Sequence, residues 1–166
     1  MRAAKSHRED APERERVCEH RRDNLLVSTD RQRLDLHVIH AFLTASYWAP
    51  GIPRALIERA VRRSLCFGLY DAGAQVGFAR VVTDSATFAY LADVFVLESH
   101  RGRGLARWLV ECVVAHPDLQ GLRRFTLVTR DAHALYRRFG FEALAHPERH
   151  MEIARPGAYA REGREK

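Results

Sequence analysis

The hydrophobic period changes from helical to strand-like near Leu65 and returns to helical after Gly104, and these changes constrain the fold more than any other feature of the sequence. Between Leu65 and Leu97, short apolar runs with strand-like alternation are separated by turns at 71–74 and 83–84. After Gly104 the period becomes helical, and the apolar positions that carry it are Leu105, Trp108, Leu109, Cys112 and Val113. Consecutive strands with such short turns predict an antiparallel meander, followed by an amphipathic helix.

Weaker patterns on both sides of this block complete the predicted order of elements. Further strands are predicted at 25–27, 125–129, 141–144 and 148–153, and further helices begin near Asp35, Pro53 and Ala132. The order is therefore strand, two helices, three strands, helix, strand, helix and two strands. It predicts an α+β fold with mixed α/β layers, in which about four helices flank a sheet of about seven strands.

Length and composition divide the chain into a single domain and two charged ends. The 166 residues are 46% hydrophobic, which is enough for one core of ordinary size. Residues 1–24 are dense in Arg and Glu and predict a flexible N-terminal extension, residues 25–153 hold the domain, and residues 154–166 form a polar tail. The formal net charge of +6 is too weak to indicate a dedicated nucleic-acid binder, so nucleic acid is not an expected partner.

The cysteines and the apolar runs indicate the compartment. Cys18, Cys66 and Cys112 are odd in number and form no C-x-x-C pair, which favours reduced thiols in the cytoplasm. No apolar run approaches the length of a membrane span, and the charged N-terminus excludes a signal peptide. The histidines lack companions at metal-ligand spacing. We therefore expect a soluble cytoplasmic protein without a metal site.

The loop between the meander and the following helix carries the strongest functional signal, Arg101-Gly102-Arg103-Gly104. The glycines let a ligand approach the backbone, and the start of the helix offers unpaired N–H groups and the positive end of a dipole. Together with the arginines, these groups predict a phosphate-binding site. Walker and dinucleotide motifs do not fit, because no Gly-Lys-Ser/Thr follows and Arg107 replaces a third Gly. The alternative is a glycine-containing turn with exposed arginines.

Residues 101–106 and 132–141 match two motifs that occur together in one family. The first motif, Gln/Arg-x-x-Gly-x-Gly/Ala, corresponds to Arg101, Gly104 and Ala106. The second, a C-terminal helix with Ala, then Leu-Tyr and Gly-Phe, corresponds to AHALYRRFGF. With these motifs, roughly residues 25–153 resemble the GNAT superfamily of acyl-CoA-dependent N-acetyltransferases. The resemblance implies a GNAT-like, mostly antiparallel central sheet.

The resemblance also implies where acetyl-CoA, the expected co-substrate, binds. The pantetheine arm would pair with the backbone of Val94, Phe95 and Val96, as an added strand pairs with a sheet edge. A backbone amide of the same strand would stabilise the oxyanion of the tetrahedral intermediate. The pyrophosphate would be held by the backbone amides of Arg101, Gly102, Arg103, Gly104, Leu105 and Ala106.

Tyr136 resembles the general acid of the family, which donates a proton to the departing CoA thiolate. A phenol keeps its proton at neutral pH and can hydrogen-bond a sulfur atom. The alternative for Tyr136 is a core aromatic residue on the helix stripe. The chain departs from many relatives at Thr129, where they carry an Asn that contacts the cofactor, so this contact is not carried over.

Asp93 is a carboxylate in an otherwise apolar strand beside the expected thioester position. It is a candidate for the base that takes a proton from the acceptor amine, directly or through water, because burial would raise its pKa toward a useful value. Strict alternation places it on the face of Leu91 and Phe95, opposite Tyr90 and Val94. A structural ion pair with an Arg is the alternative for this residue.

Tyr47 and Trp48 lie between the first two predicted helices, where this family builds the acceptor pocket. They are candidates for lining that pocket, and the alternative is a pair of loop aromatics that cap the core.

The resemblance implies an N-acetyltransferase that moves an acetyl group from acetyl-CoA to a primary amine by direct attack in a ternary complex. The alternative is a non-catalytic acyl-CoA-binding module that acts as a sensor or scaffold. A third and weaker hypothesis assigns nucleic-acid binding to the Arg-rich ends. Small molecules and peptides are both compatible acceptors, a homodimer is left open, and the sequence does not distinguish acetyl from longer acyl groups.

Overall fold

The computed structural model describes residues 16–155 and 157–159. The elements follow in the order β1 (Glu19–Arg22), β2 (Leu25–Ser28), α1 (Leu36–Ala45), α2 (Arg54–Arg62), β3 (Leu65–Asp71), β4 (Ala74–Thr83), β5 (Phe88–Val96), α3 (Leu105–Val114), β6 (Arg124–Leu127) and α4 (His133–Arg137). Short 3-10 turns occupy Arg31–Arg33, Glu98–His100, Pro117–Leu119 and Pro147–Arg149.

The strands form one sheet whose spatial order is the chain order, from β1 to β6. The first four junctions are antiparallel, and only the junction between β5 and β6 is parallel. The parallel junction needs a crossover, which α3 provides. The fold class predicted from the sequence is confirmed: a mostly antiparallel sheet with helices, although six strands are present in the described residues rather than about seven.

Helices cover both faces of the sheet and create two apolar cores. On one face, α3 buries Leu105, Leu109 and Val113 against the sheet. On the other face, α1 and α2 pack Leu43 and Ile57 against side chains of β4 and β5. An amphipathic helix over each face of a central sheet satisfies the apolar side chains that point both ways from buried strands.

A β-bulge at Asp93 interrupts the alternation of β5. Phe78 pairs with Phe95 and Arg80 with Ala92, so two residues of β5 stand opposite one residue of β4. Asp93 has φ of 55°, in the left-handed region that accommodates the extra residue. The strict alternation predicted from the sequence is therefore wrong beyond this point.

The bulge changes which residues share a face. Leu91 and Val94, predicted on opposite faces, both pack toward α3, whereas Phe95 packs toward α1 and α2. The Asp93 carboxylate accepts a hydrogen bond from Arg80. Phe78, two residues before Arg80 on β4, packs toward α1 and α2, as Phe95 does.

Three element predictions at the ends of the domain are wrong. Glu19–Arg22, assigned to the flexible extension, form β1, which pairs with β2 and is exposed on both faces. Such a strand has no apolar alternation to reveal it. The strands predicted at 141–144 and 148–153 are absent from the described residues, because these segments form no β-ladder, and Pro147–Arg149 form a 3-10 turn. Residues 1–15 of the predicted extension, and Pro156 with residues 160–166 of the predicted tail, lie outside the described residues.

None of the helices in the described part of the chain is both long and apolar enough to span a membrane. The three cysteines carry free thiols, and two of them, Cys66 and Cys112, are buried. Burial raises the pKa of the Cys112 thiol to about 12, so this thiol stays protonated at neutral pH.

Candidate active site

Strands β5 and β6 separate partway along their length. Their pairing runs only from Phe88 opposite Arg124 to Leu91 opposite Leu127. Beyond Leu91, β5 continues to Val96, and no strand among the described residues pairs with this part on the side of β6. Backbone N–H and C=O groups of an unpaired strand edge are available to an extended ligand.

The side chains of this free segment are already used by the two cores. Val96 is buried and Val94 half-buried in the core beneath α3, and Phe95 is buried in the core beneath α1 and α2. Phe95 is stacked on Phe42, with ring centroids 3.9 Å apart. The segment can therefore offer a ligand its backbone, which is the role that the resemblance implies for these three residues.

The free segment leads directly into the glycine-containing loop and α3. Gly102 and Gly104 have φ of 76° and 74°, which favours glycine, and a Cβ at either position would meet no protein atom within 4 Å. Gly104 precedes α3 without a side-chain cap, and the first backbone bond into the helix runs from Trp108 N–H to the Gly104 carbonyl. The N–H groups of the first turn therefore have no hydrogen-bond partner within the helix, as phosphate binding requires.

The two arginines of the loop are held in different ways. The Arg103 guanidinium donates to the Asp71 carboxylate at 2.7 Å, and Arg101 donates through Nε to the Val96 carbonyl at 3.2 Å. Both side chains remain largely exposed beside the start of α3. They add positive charge there, and their existing contacts orient them.

Tyr136 lies on α4 and is 9% exposed. Its ring packs edge-on against Phe141, with centroids 5.9 Å apart. Burial, and secondarily the neighbouring Tyr47 phenol, raise the pKa of Tyr136 to about 12. The phenol therefore holds its proton at neutral pH.

Thr129 has a local structural role. Its Oγ1 accepts a hydrogen bond from the Ala132 N–H at 3.1 Å, just before α4 begins. The Thr129 hydroxyl thus stabilises the turn that leads into α4, the short helix that carries Tyr136.

Asp93 forms an ion pair with Arg80, with 2.6 Å between Oδ2 and Nε. The side chains are 14% and 18% exposed, so the pair is mostly buried. The other oxygen, Oδ1, accepts from Trp48 Nε1 at 3.3 Å. The contacts of Asp93 are those of the ion-pair alternative that the sequence left open, and both carboxylate oxygens are engaged.

Tyr47 and Trp48 belong to an aromatic cluster that also includes Phe42. Trp48 lies edge-on to Tyr47 at 4.9 Å and tilted against Phe42 at 6.2 Å. The Arg130 guanidinium covers the Tyr47 ring at 3.8 Å, and this contact joins the loop after α1 to the loop after β6. The cluster links Tyr136 on one side with Asp93 on the other.

A cavity of about 550 Å³ lies between the α1–α2 layer and the sheet, beside Trp48 and Asp93. A second cavity, of about 830 Å³, lies between β6 and residues 141–150 and includes Tyr136 in its wall. Trp48 lines the first cavity, whereas Tyr47 lines neither of the two.

Sequence reasoning missed Arg80, Phe42 and Arg130. Arg80 could have been found, because it is a charged residue within an apolar strand and a hairpin brings it near Asp93. Phe42 and Arg130 gave no such signal, since their partners are distant in the sequence. The described residues hold no group of three or more His, Cys, Asp or Glu side chains arranged to bind a metal.

Comparison with known proteins identifies the class. Residues 62–143 match the model of the acetyltransferase (GNAT) domain family, a span that includes the glycine loop and Tyr136. A Gibberella zeae protein named as an acetyltransferase is 36% identical over 69% of this chain and 77% of its own length. These two matches define an acetyltransferase.

The solved structures agree on the family. A GNAT-family structure from Xanthomonas campestris pv. campestris is 55% identical, with a TM-score of 0.80, over 82% of this chain and 96% of the other. The chain belongs to the GNAT acetyltransferase family. A Clostridium acetobutylicum structure described as an acetyltransferase with acetyl-CoA shares the fold at 12% identity, with a TM-score of 0.57, over 79% of this chain and 95% of the other.

Proposed function

We propose that the protein is an N-acetyltransferase that moves the acetyl group of acetyl-CoA to a primary amine by direct attack in a ternary complex. The observation that carries this proposal is the free backbone edge of Ala92–Val96, which runs into the uncapped N-terminus of α3. An unpaired strand edge can bind a pantetheine arm through its backbone. The free amides at the start of the helix can bind the pyrophosphate that follows this arm.

Both backbone groups and charged side chains contribute to the binding of acetyl-CoA. The backbone of Val94, Phe95 and Val96 pairs with the pantetheine arm, and an amide of this segment polarises the thioester carbonyl. The amides of residues 101–106 hold the pyrophosphate, and the guanidinium groups of Arg101 and Arg103 lie beside it. Acetyl-CoA supplies the activated acetyl thioester.

In the transfer step an N–C bond forms, the C–S bond breaks and the amine loses one proton. Tyr136 donates its phenolic proton to the thiolate sulfur, and its raised pKa keeps that proton available. Asp93 is the candidate base that takes the proton from the amine, directly or through water. Its ion pair with Arg80 supports a second role, in which it only holds Arg80 and Trp48 in place.

The experiment that tests the proposal is thiol release from acetyl-CoA with an amine panel, using Tyr136→Phe. We expect the variant to lower kcat by about a hundredfold, because removal of a general acid typically costs that much, and to leave CoA affinity unchanged. Tyr70→Phe is the matched control. Tyr70 is also a buried tyrosine, but it lies on β3 and its hydroxyl has no partner in the described residues.

Two outcomes would contradict parts of the proposal. Unchanged kcat in Tyr136→Phe would remove the acid assignment. Thermal stabilisation by CoA without thiol release from any amine would favour the non-catalytic acyl-CoA-binding module instead.

The finer expectations belong to the same proposal. The acceptor is a small molecule or a peptide, the protein acts in the cytoplasm, and residues 25–153 remain the predicted domain apart from the addition of β1. A homodimer is supported by the exposed apolar side chains of Val128, which follows β6, and of Met151 and Ile153 in the segment after α4.

A further inference from the structure

The cavity beside Asp93 has mostly apolar walls. They come from α1, α2, the loop between these helices, the sheet and Tyr159, and the apolar side chains include Leu43, Ile52, Leu56, Ile57 and Phe78. Its volume of about 550 Å³ suits a small organic molecule or a few residues of a peptide. An acceptor that enters it must therefore present an apolar body.

The charged residues of the cavity are unequal in sign. Arg59, Arg63 and Arg80 line it together with one carboxylate, Asp93, so the formal sum is 3 − 1 = +2. Arg80 and Asp93 neutralise each other at the sheet. The positive excess thus belongs to Arg59 and Arg63, which are exposed at the α2 side.

Arg59 and Arg63 form no ion pair with the carboxylates of residues 16–155 and 157–159, whereas Arg54 on the same helix is paired with Glu58. Guanidinium groups bind carboxylates and phosphates well because they offer several donors in one plane. The exposed guanidinium groups of Arg59 and Arg63 therefore suit an anion, and they would repel a second ammonium group on the acceptor.

The wall of the cavity adjoins the proposed reaction centre. Asp93 lies within the free segment of β5, and its carboxylate accepts from Trp48, which packs edge-on against Tyr47. The reacting amine belongs beside Asp93. An acceptor in the cavity then has its amine at Asp93, its apolar segment against the apolar walls, and its remaining polar group at Arg59 and Arg63.

We infer that the acceptor is an amine that carries an anionic group, carboxylate or phosphate, separated from the amine by an apolar segment. The inference rests on the proposed N-acetyltransferase function and adds the substrate class. It excludes polyamines as preferred acceptors, because their second ammonium group would meet Arg59 and Arg63.

Four probes of equal chain length test the inference: ε-aminocaproate, hexylamine, hexamethylenediamine and aminohexyl phosphate. We expect kcat/KM for ε-aminocaproate to exceed that for hexamethylenediamine by at least about tenfold, with hexylamine between them. The comparison of kcat/KM for aminohexyl phosphate and ε-aminocaproate distinguishes a preference for phosphate from a preference for carboxylate. Equal values, or a preference for the diamine, would overturn the inference.

Charge reversal gives the second arm of the experiment. In the double variant Arg59→Glu with Arg63→Glu, the order of ε-aminocaproate and hexamethylenediamine should invert, through KM rather than kcat. Arg62→Glu is the matched control, because Arg62 is an exposed arginine of the same helix that does not line the cavity. The control should retain the wild-type order.

Binding measurements separate this inference from the proposed function. Calorimetry with the same probes in the presence of CoA needs no turnover, and the same order of affinities is expected. The expected order of affinities without thiol release would contradict the proposed catalysis and would still support the anion site. Thiol release with no dependence on the charge of the probe would contradict the anion site alone.

Discussion

At the scale of single residues, the Arg80–Asp93 pair is the feature with the largest energetic stake. A mostly buried ion pair is costly to break from one side, because the remaining charge is left without compensation. Asp93 also accepts from Trp48, so its carboxylate connects the sheet to the aromatic cluster. A change at this position therefore affects stability and the site together.

Asp93→Asn tests which of its two roles matters. The amide keeps the shape but removes the charge, so we expect the free energy of unfolding in urea to fall by about 2 kcal/mol because Arg80 is left uncompensated. If Asp93 is the base, kcat for thiol release should also fall about a hundredfold.

A second variant separates the two effects. The double change Arg80→Gln with Asp93→Asn removes both charges and should recover part of the lost stability. Recovery of kcat along with stability would show that Asp93 only positions its neighbours. A kcat that stays low while stability recovers would support the base.

The residues of the site differ in how far the sequence could predict them. Gly104 and Tyr136 belong to local motifs, and both lie where the motifs place them, at the start of α3 and on α4. The surroundings of Asp93 could not be predicted, because the bulge that turns it toward Arg80 leaves no sign in the alternation of residues. A single inserted residue reverses every face assignment beyond it.

At the scale of elements, the junction of β5 and α3 depends on the backbone of Gly104. Its φ of 74° lies in the left-handed region, and it immediately precedes the first turn of the helix. Any other residue there would be strained, and its Cβ would stand where a ligand approaches the amides.

Gly104→Ala should weaken CoA binding by about tenfold or more and cost about 1 kcal/mol of stability. Gly121→Ala is the matched control, since Gly121 also has a positive φ, 69°, and open space, but lies in the loop before β6. Calorimetric titration with CoA measures the first effect and urea unfolding the second. Equal CoA affinity in the two variants would show that the Gly104 backbone does not contact the ligand.

The elements that were predicted well are those with a strong period. The meander from β3 to β5 and the helix α3 bury one or both faces, so apolar spacing reveals them. Strand β1 is exposed on both faces, and its hydrogen bonds to β2 rather than its side chains define it. Propensity and period contain no information on such a strand.

At the scale of the whole molecule, β1 ties the N-terminal part of the described chain to the sheet and to α3. The Cys18 N–H donates to Thr29 Oγ1 at 2.8 Å, and the Arg22 guanidinium lies 4.9 Å from the centre of the Trp108 ring while it pairs with Glu111. The domain therefore begins before residue 25.

Two truncations locate this boundary. The protein that lacks residues 1–15 is the reference, because it keeps the whole of β1. Deletion of residues 1–24 should cost about 2 kcal/mol, since it removes the β1–β2 ladder and exposes the edge of β2. Equal stability of the two truncated proteins in urea would contradict a structural role for β1.

The short ladder between β5 and β6 has a consequence for motion. Four paired positions join β5 and β6 at one end of the cleft between these strands. At the other end, no backbone hydrogen bonds connect the two strands among the described residues. Opening such a cleft breaks few hydrogen bonds compared with global unfolding, so amide hydrogens along β6 are expected to exchange through local opening. A ligand that pairs with both β5 and β6 would hold these strands together, so the protein would be most rigid while its substrate is bound.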